Sequence, residues 1–146
     1  MTTAPRAGDR IPPFRIPSVD AQRMKTMAAI LRDPYPIHWD RQATTALGFS
    51  GRTVNQGPLN LGYIANMLME WAGDDAIRRL TVGFHGRVLD GDAVEAHGVV
   101  QAVTTTTDSG WTATCSVWLE RGPERVVSGT AEVSSFRERA AEGEHS

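Results

Sequence analysis

Gly57-Pro-Leu-Asn-Leu-Gly-Tyr-Ile-Ala-Asn-Met-Leu-Met-Glu-Trp-Ala-Gly73 decides the fold. Pro58 suits the first helical position, where its missing N–H costs nothing, and Gly73 suits the residue that stops a helix. Between them Leu61, Ile64, Ala65, Leu68, Met69 and Ala72 form a broad apolar stripe, which Tyr63, Met67 and Trp71 widen beyond one face. A helix that is apolar nearly all round is a buried helix. The spacing therefore predicts a helix over Pro58–Ala72 with other elements wrapped around it.

Downstream the period changes from helical to two. Leu80, Val82, Phe84 and Val88 share one strand face. After Asp90-Gly-Asp92, a strong hairpin signal, Val94, Ala96, Val100 and Ala102 share another. Trp111, Ala113, Cys115, Val117 and Leu119 follow a turn near Asp108-Ser-Gly110, and Val127, Ala131 and Val133 follow Gly122-Pro123. Upstream the pattern is helix and loop. Arg10-Ile-Pro-Pro-Phe-Arg-Ile-Pro17 is too proline-rich for a central strand and reads as an edge strand or extended arm. Ser18 is placed to cap a helix running to about Arg32, with Met24, Met27, Ala28 and Leu31 on a core-facing side. Two prolines in Asp33-Pro-Tyr-Pro-Ile-His38 stop that helix. A short helical turn from Asp40 to Leu47 ends at Gly48, and Gly51–Gly57 is loop. The pattern describes one α+β domain spanning 1–146, an antiparallel sheet on a central helix. About 8–137 is expected to be ordered, with a flexible polar tail over 138–146.

The chain has 146 residues, a one-domain length that buries a sizeable core without staples. Lys and Arg total 15 against 17 Asp and Glu, a net charge of −2, with Lys25 the only lysine. The scattered cations leave no basic field, which argues against nucleic-acid binding. One cysteine, Cys115, excludes an internal disulfide framework and a Cys-rich zinc site, and its place among alternating strand residues makes it a structural thiol. No apolar run approaches the roughly 18 residues that cross a membrane, and Met1–Gly8 lacks an apolar signal core. The expected location is the cytoplasm.

Among four histidines, His38 is singled out. His145 lies in the tail, His97 shares an outward strand face with Glu95, and His85 lies opposite Phe84. His38 sits between prolines and helix, rigidly placed as a general acid or base must be. Asp33, five residues earlier, could share one water with it; alternatively Asp33 caps locally and His38 packs. Gly57 opens the buried helix, where a backbone N–H can stabilise a developing oxyanion, or it is a plain turn glycine. No metal site, phosphate loop, nucleophile elbow or dinucleotide fingerprint is present.

Asp33-Pro-Tyr-Pro-Ile-His38-Trp-Asp40, with Ala43 and Leu47-Gly-Phe49, resembles the hydratase motif of the MaoC-like family, the (R)-specific enoyl-CoA hydratases and acyl dehydratases. The likeness continues through Val54-Asn-Gln-Gly57, Phe84-His-Gly-Arg-Val88, Gly91-Asp92 and the opening Gly8-Asp-Arg-Ile-Pro-Pro13, covering about residues 8–135. It implies a hot-dog fold, a curled antiparallel sheet around the central helix. It implies that Asp33 and His38 activate a water that adds to a 2-enoyl thioester, or leaves a 3-hydroxyacyl thioester. The Gly57 N–H would hold the thioester oxygen, with Asn55, Gln56 and Tyr35 at the substrate site. Coenzyme A or an acyl-carrier protein would bring the acyl group as substrate, with no bound cofactor and no metal. The resemblance further implies a homodimer, or a heteromer with a second MaoC-like chain. Tyr35 stands where the family has Asn, and Gln56 where it has His, which alters the pocket wall; a bulky acyl group is one consequence.

Two other readings compete. A hot-dog thioesterase would use a carboxylate on the central helix, where Glu70 is the only acidic residue well inside. It lies near the C-terminal end, the poor end for an anion. A non-catalytic subunit would keep Asp33 and His38 only as structure, shaping a partner's site.

Overall fold

In chain order the elements are β1 (Arg10–Ile16), α1 (Ala21–Leu31), a 3-10 turn (Pro36–His38), α2 (Arg41–Ala46), α3 (Gly57–Ala72), β2 (Ile77–Phe84), β3 (Val94–Thr105), β4 (Trp111–Arg121) and β5 (Glu124–Ser135). They come from a computed structural model that describes residues 3–32, 35–49, 51–105 and 110–135. Asp33, His145, the tail from 138 and most of the Asp108-Ser-Gly110 turn lie outside the described residues.

The strands form one antiparallel sheet in the order β1-β3-β4-β5-β2. Helix α3 packs against all five strands, which makes it central as its composition predicts. Its buried residues are Asn60, Tyr63, Ile64, Met67 and Leu68, an i, i+3, i+4, i+7 series. Leu61, Ala65 and Met69, expected in the same stripe, are only half-buried. The sheet meets the helix through Val94, Ala96, Val100, Ala113, Cys115, Val117, Leu119, Val127, Ala131 and Val133, all in one core with Ile11 and Met24. Gly98 of β3 explains how closely the layers approach. A Cβ there would lie 2.8 Å from Ile11 Cδ1 and 3.2 Å from Met67 Cε. Cys115 is buried, and burial pushes its thiol up to about 11, consistent with a structural thiol.

The proline-rich β1 is an edge strand, as expected, pairing only with β3. Five local expectations are corrected. Asp20, not Ser18, caps α1, its carboxylate accepting from the Gln22 N–H at 2.9 Å. The α1 side expected in the core buries only Met24, while Leu31 is exposed. Ala102 turns outward because a bulge after Val100 shifts the register, and Val103 packs on the core instead. Asp90-Gly-Asp92 makes a turn but not a hairpin: β2 pairs with β5 and β3 with β1. The turn's carboxylates are held instead by the 52–54 segment, which Leu89 meets in an isolated bridge to Val54. His97, expected at the surface, is mostly covered, stacked on Trp118 with centroids 5.7 Å apart and its Nε2 3.0 Å from Glu95 Oε1.

Candidate active site

His38 ends the 3-10 turn that Pro36 begins. The turn is closed by Trp39 and Asp40 N–H groups donating to the Pro36 carbonyl at 3.1 and 2.7 Å. Asp40 then caps α2, accepting from the Gln42 N–H at 2.9 Å. His38 is thus fixed between two hydrogen-bonded turns, and it is buried. Its ring is fixed as well. Nδ1–H donates to the Val54 carbonyl at 2.7 Å, while the Val54 N–H donates to the Ile37 carbonyl at 2.7 Å. A proton held on Nδ1 makes Nε2 the basic nitrogen of the neutral ring. That is the arrangement a general base requires.

The strap that orients His38 runs three residues on into Gly57, the first residue of α3. Pro58 has no N–H, and Leu59 and Asn60 both donate to the Gln56 carbonyl, at 3.1 and 3.2 Å. The Gly57 N–H is therefore the donor of this first turn that stands outside the helix ladder. The helix dipole adds positive potential there. The Phe84 ring lies 3.4 Å from where a Gly57 Cβ would be, and half of Phe84 remains exposed.

Of the other expected site residues, Asn55 and Gln56 lie within the strap and Tyr35 beside His38. Asn55 is buried, its Nδ2 donating to Asn60 Oδ1 at 2.7 Å and Tyr63 Oη at 3.3 Å. Burial pushes the Tyr63 hydroxyl up, more than the Asn55 hydrogen bond lowers it. Gln56 is buried too, and its Nε2 donates to the Met24 carbonyl at 2.7 Å, tying α1 to the start of α3. Asn55 Oδ1 and Gln56 Oε1 have no hydrogen-bond partner among the described residues. Tyr35 is exposed, its ring edge-on to His38 at 5.9 Å. Asp33 lies outside the described residues. His85 is exposed and bonded to Ser128 Oγ at 2.7 Å. Glu70 is also exposed, in the last turn of α3. No group of three or more His, Cys, Asp or Glu placed to hold a metal occurs among the described residues, and no helix among them is long and apolar enough to cross a membrane.

One charged node at the strap escaped the sequence reading. Asp90 Oδ2 accepts from the Thr53 N–H at 2.5 Å and the Thr53 hydroxyl at 2.8 Å, with Arg41 Nη1 at 3.3 Å. Arg52 donates to the Asp90 carbonyl at 2.8 and 3.0 Å and pairs with Asp92. Burial pushes the Asp90 carboxyl up, but the Thr53 donors and the Arg41 and Arg52 charges outweigh it and hold it below its ordinary value. The signal in the sequence was the turn Asp90-Gly-Asp92, whose acids read only as turn formers. The Val54 carbonyl has no sequence signature at all.

A model of the MaoC-like domain family matches residues 9–117. Among solved structures, the (R)-hydratase from A. caviae involved in PHA biosynthesis superposes with a TM-score of 0.78 at 21% identity, covering 93% of this chain and all of that one. The MaoC-like dehydratase from Rhodospirillum rubrum gives 0.71 at 25% identity, covering 91% and 94%. The ChsH1–ChsH2 complex from Mycobacterium tuberculosis gives 0.73 at 22% identity, covering 90% and 98%. No curated protein sequence matches the chain. The shared architecture is the hot-dog fold.

Proposed function

The chain belongs to the MaoC-like domain family, and from that premise we propose that it is a hydro-lyase that adds water to a 2-enoyl thioester and removes it from a 3-hydroxyacyl thioester. The observation that carries this reading is the His38 ring, buried and locked through Nδ1 onto the Val54 carbonyl, on the strap that ends at the Gly57 N–H. In hydration, His38 Nε2, with Asp33, takes a proton from water as the water oxygen bonds to C3. The electron pair of the C2–C3 double bond moves onto the thioester, whose oxygen the Gly57 N–H stabilises. The proton taken from water is then passed from the His38–Asp33 pair to C2, which completes the addition and returns both groups to their starting state. No cofactor enters these steps; the acyl group arrives as a coenzyme A or carrier-protein thioester. Tyr35 beside His38 and Phe84 over Gly57 are the exposed aromatic surfaces we assign to the acyl group.

We further propose assembly as a homodimer or with a second MaoC-like chain, in keeping with the exposed apolar side chains Ile30, Leu31, Trp39 and Leu47 and the edge strand β2.

The test is loss of enoyl-thioester absorbance with a panel of 2-enoyl-CoAs, from crotonyl to branched and aromatic acyl groups. The expected result is turnover by the wild type and a fall on the order of 10²- to 10⁴-fold in His38→Ala and in Asp33→Asn, the usual worth of general acid–base help. Full activity in a folded His38→Ala would sink the reading. A flat wild-type trace, followed by turnover of the carrier-protein thioester or on adding a partner chain, would move the substrate or the assembly instead.

A further inference from the structure

Asp90 contacts the chain next to each partner of the hydrogen bond that orients His38: Thr53 beside Val54, and Arg41 at the start of the helix after His38. On one side its carboxylate holds Thr53 twice, through the N–H at 2.5 Å and the hydroxyl at 2.8 Å. Thr53 is joined by one peptide to Val54, whose carbonyl takes the His38 Nδ1–H. On the other side it meets Arg41 at 3.3 Å, and Arg41 begins α2, the helix that follows the His38 turn. Arg41 also donates to the Gly51 carbonyl at 3.1 Å. The Asp90 N–H returns the contact to the strap, donating to the Thr53 carbonyl at 2.8 Å. The carboxylate is largely covered, with 14% of its side chain exposed, so water competes little for these bonds. A hydroxyl has one proton, and the carboxylate is a stronger acceptor for it than the Met24 thioether 3.2 Å from the Thr53 hydroxyl.

We propose that Asp90 is a positioning residue for His38, acting through Thr53 and Val54 to set the direction and tautomer of the imidazole. This rests on the hydro-lyase reading for its catalytic consequence but not for the geometry itself. Without the carboxylate, Thr53 loses its main acceptor and the Val54 carbonyl its fixed direction. The ring can then rotate or carry its proton on Nε2, where it is no longer a base toward water.

The test uses the whole chain labelled with ¹⁵N-histidine, the His38 ring being assigned by its loss in His38→Gln. In the wild type the ring is expected to carry its proton on Nδ1, slowly exchanging. In Asp90→Asn that proton signal broadens or moves to Nε2, and kcat falls by about 10- to 100-fold with KM little changed, the scale of a misplaced catalytic group. Thr53→Val, which keeps the shape and removes one of the two bonds, shifts both readouts in the same direction by less, and serves if Asp90→Asn does not fold. Asp74→Asn, on an exposed turn, leaves both unchanged. A folded Asp90→Asn with the wild-type ring signal overturns the proposal, even if its melting temperature has dropped. If the wild type turns over no thioester but the ring signal still depends on Asp90, the hydro-lyase reading fails and the positioning role stands.

Discussion

At the scale of single residues, the site depends on small groups in closed surroundings. Gly57→Ala tests the helix start. The new Cβ would meet the Phe84 ring at 3.4 Å, a contact that ring can yield to. The expected result is a folded protein with higher KM for bulky acyl thioesters and a smaller change for crotonyl-CoA, read from steady-state kinetics. Gly98→Ala is different, because Ile11 and Met67 close on that position from two layers. Overpacking of this kind costs about 1–3 kcal/mol, so a drop of that size in denaturant-derived stability is expected. Cys115 supplies a probe of the same core. Its thiol is buried and pushed up to about 11, so a thiol reagent at neutral pH should react only at the rate at which the sheet opens. Rapid labelling of the native protein would contradict the burial.

At the scale of elements, legibility followed how local the cause is. The bounds of α3 were readable because Pro58 and Gly73 act on their own backbone. The alternation in β4 was readable because its inward residues face one layer. The bulge after Val100 was not, since an extra residue leaves the apolar alternation intact up to that point and no glycine marks it. The Asp90-Gly91 hairpin was misread for a related reason. Asp-Gly specifies a turn, with Gly91 at φ 82°, and is silent about which strands the turn joins. Ser18 and Asp20 are both good caps, and only the observed backbone selects Asp20. In the site, His38 and Gly57 stand out from the sequence as candidates, but their connection runs through a backbone carbonyl, and the Asn55 and Gln56 side-chain amides are buried and bonded to Asn60, Tyr63 and the Met24 carbonyl. The caps themselves are testable. Asp40→Ala removes the acceptor at the start of α2, next to His38, and should cost about 1 kcal/mol in thermal stability, with kcat falling more than KM rises.

At the scale of the whole molecule, the Asp90 node sets an acid limit. Its folded value lies below its ordinary value of 3.8. Such a group contributes stability that is fully present above the ordinary value and is lost as pH falls through the folded one. Thermal melts from neutral pH downward should therefore show the wild type losing an increment that Asp90→Asn lacks. The two curves start apart and converge in acid. Parallel curves over the whole range would show that the carboxylate is not linked to folding.

The pairing of β1 with β3, Arg10 opposite Val99, has a consequence in time. The first strand has no partner until nearly a hundred residues have been made, and its edge of the sheet closes over most of the chain's length. The His38 turn leans on Val54, the 52–54 strap leans on Asp90, and β2, which leads into the Asp90 turn, pairs with β5 near the far end of the chain. Such non-local closure is slow, and its entropy is paid before its contacts form. During synthesis His38 is made early, yet the sheet beside the turn that holds its strap is complete only when β5 arrives.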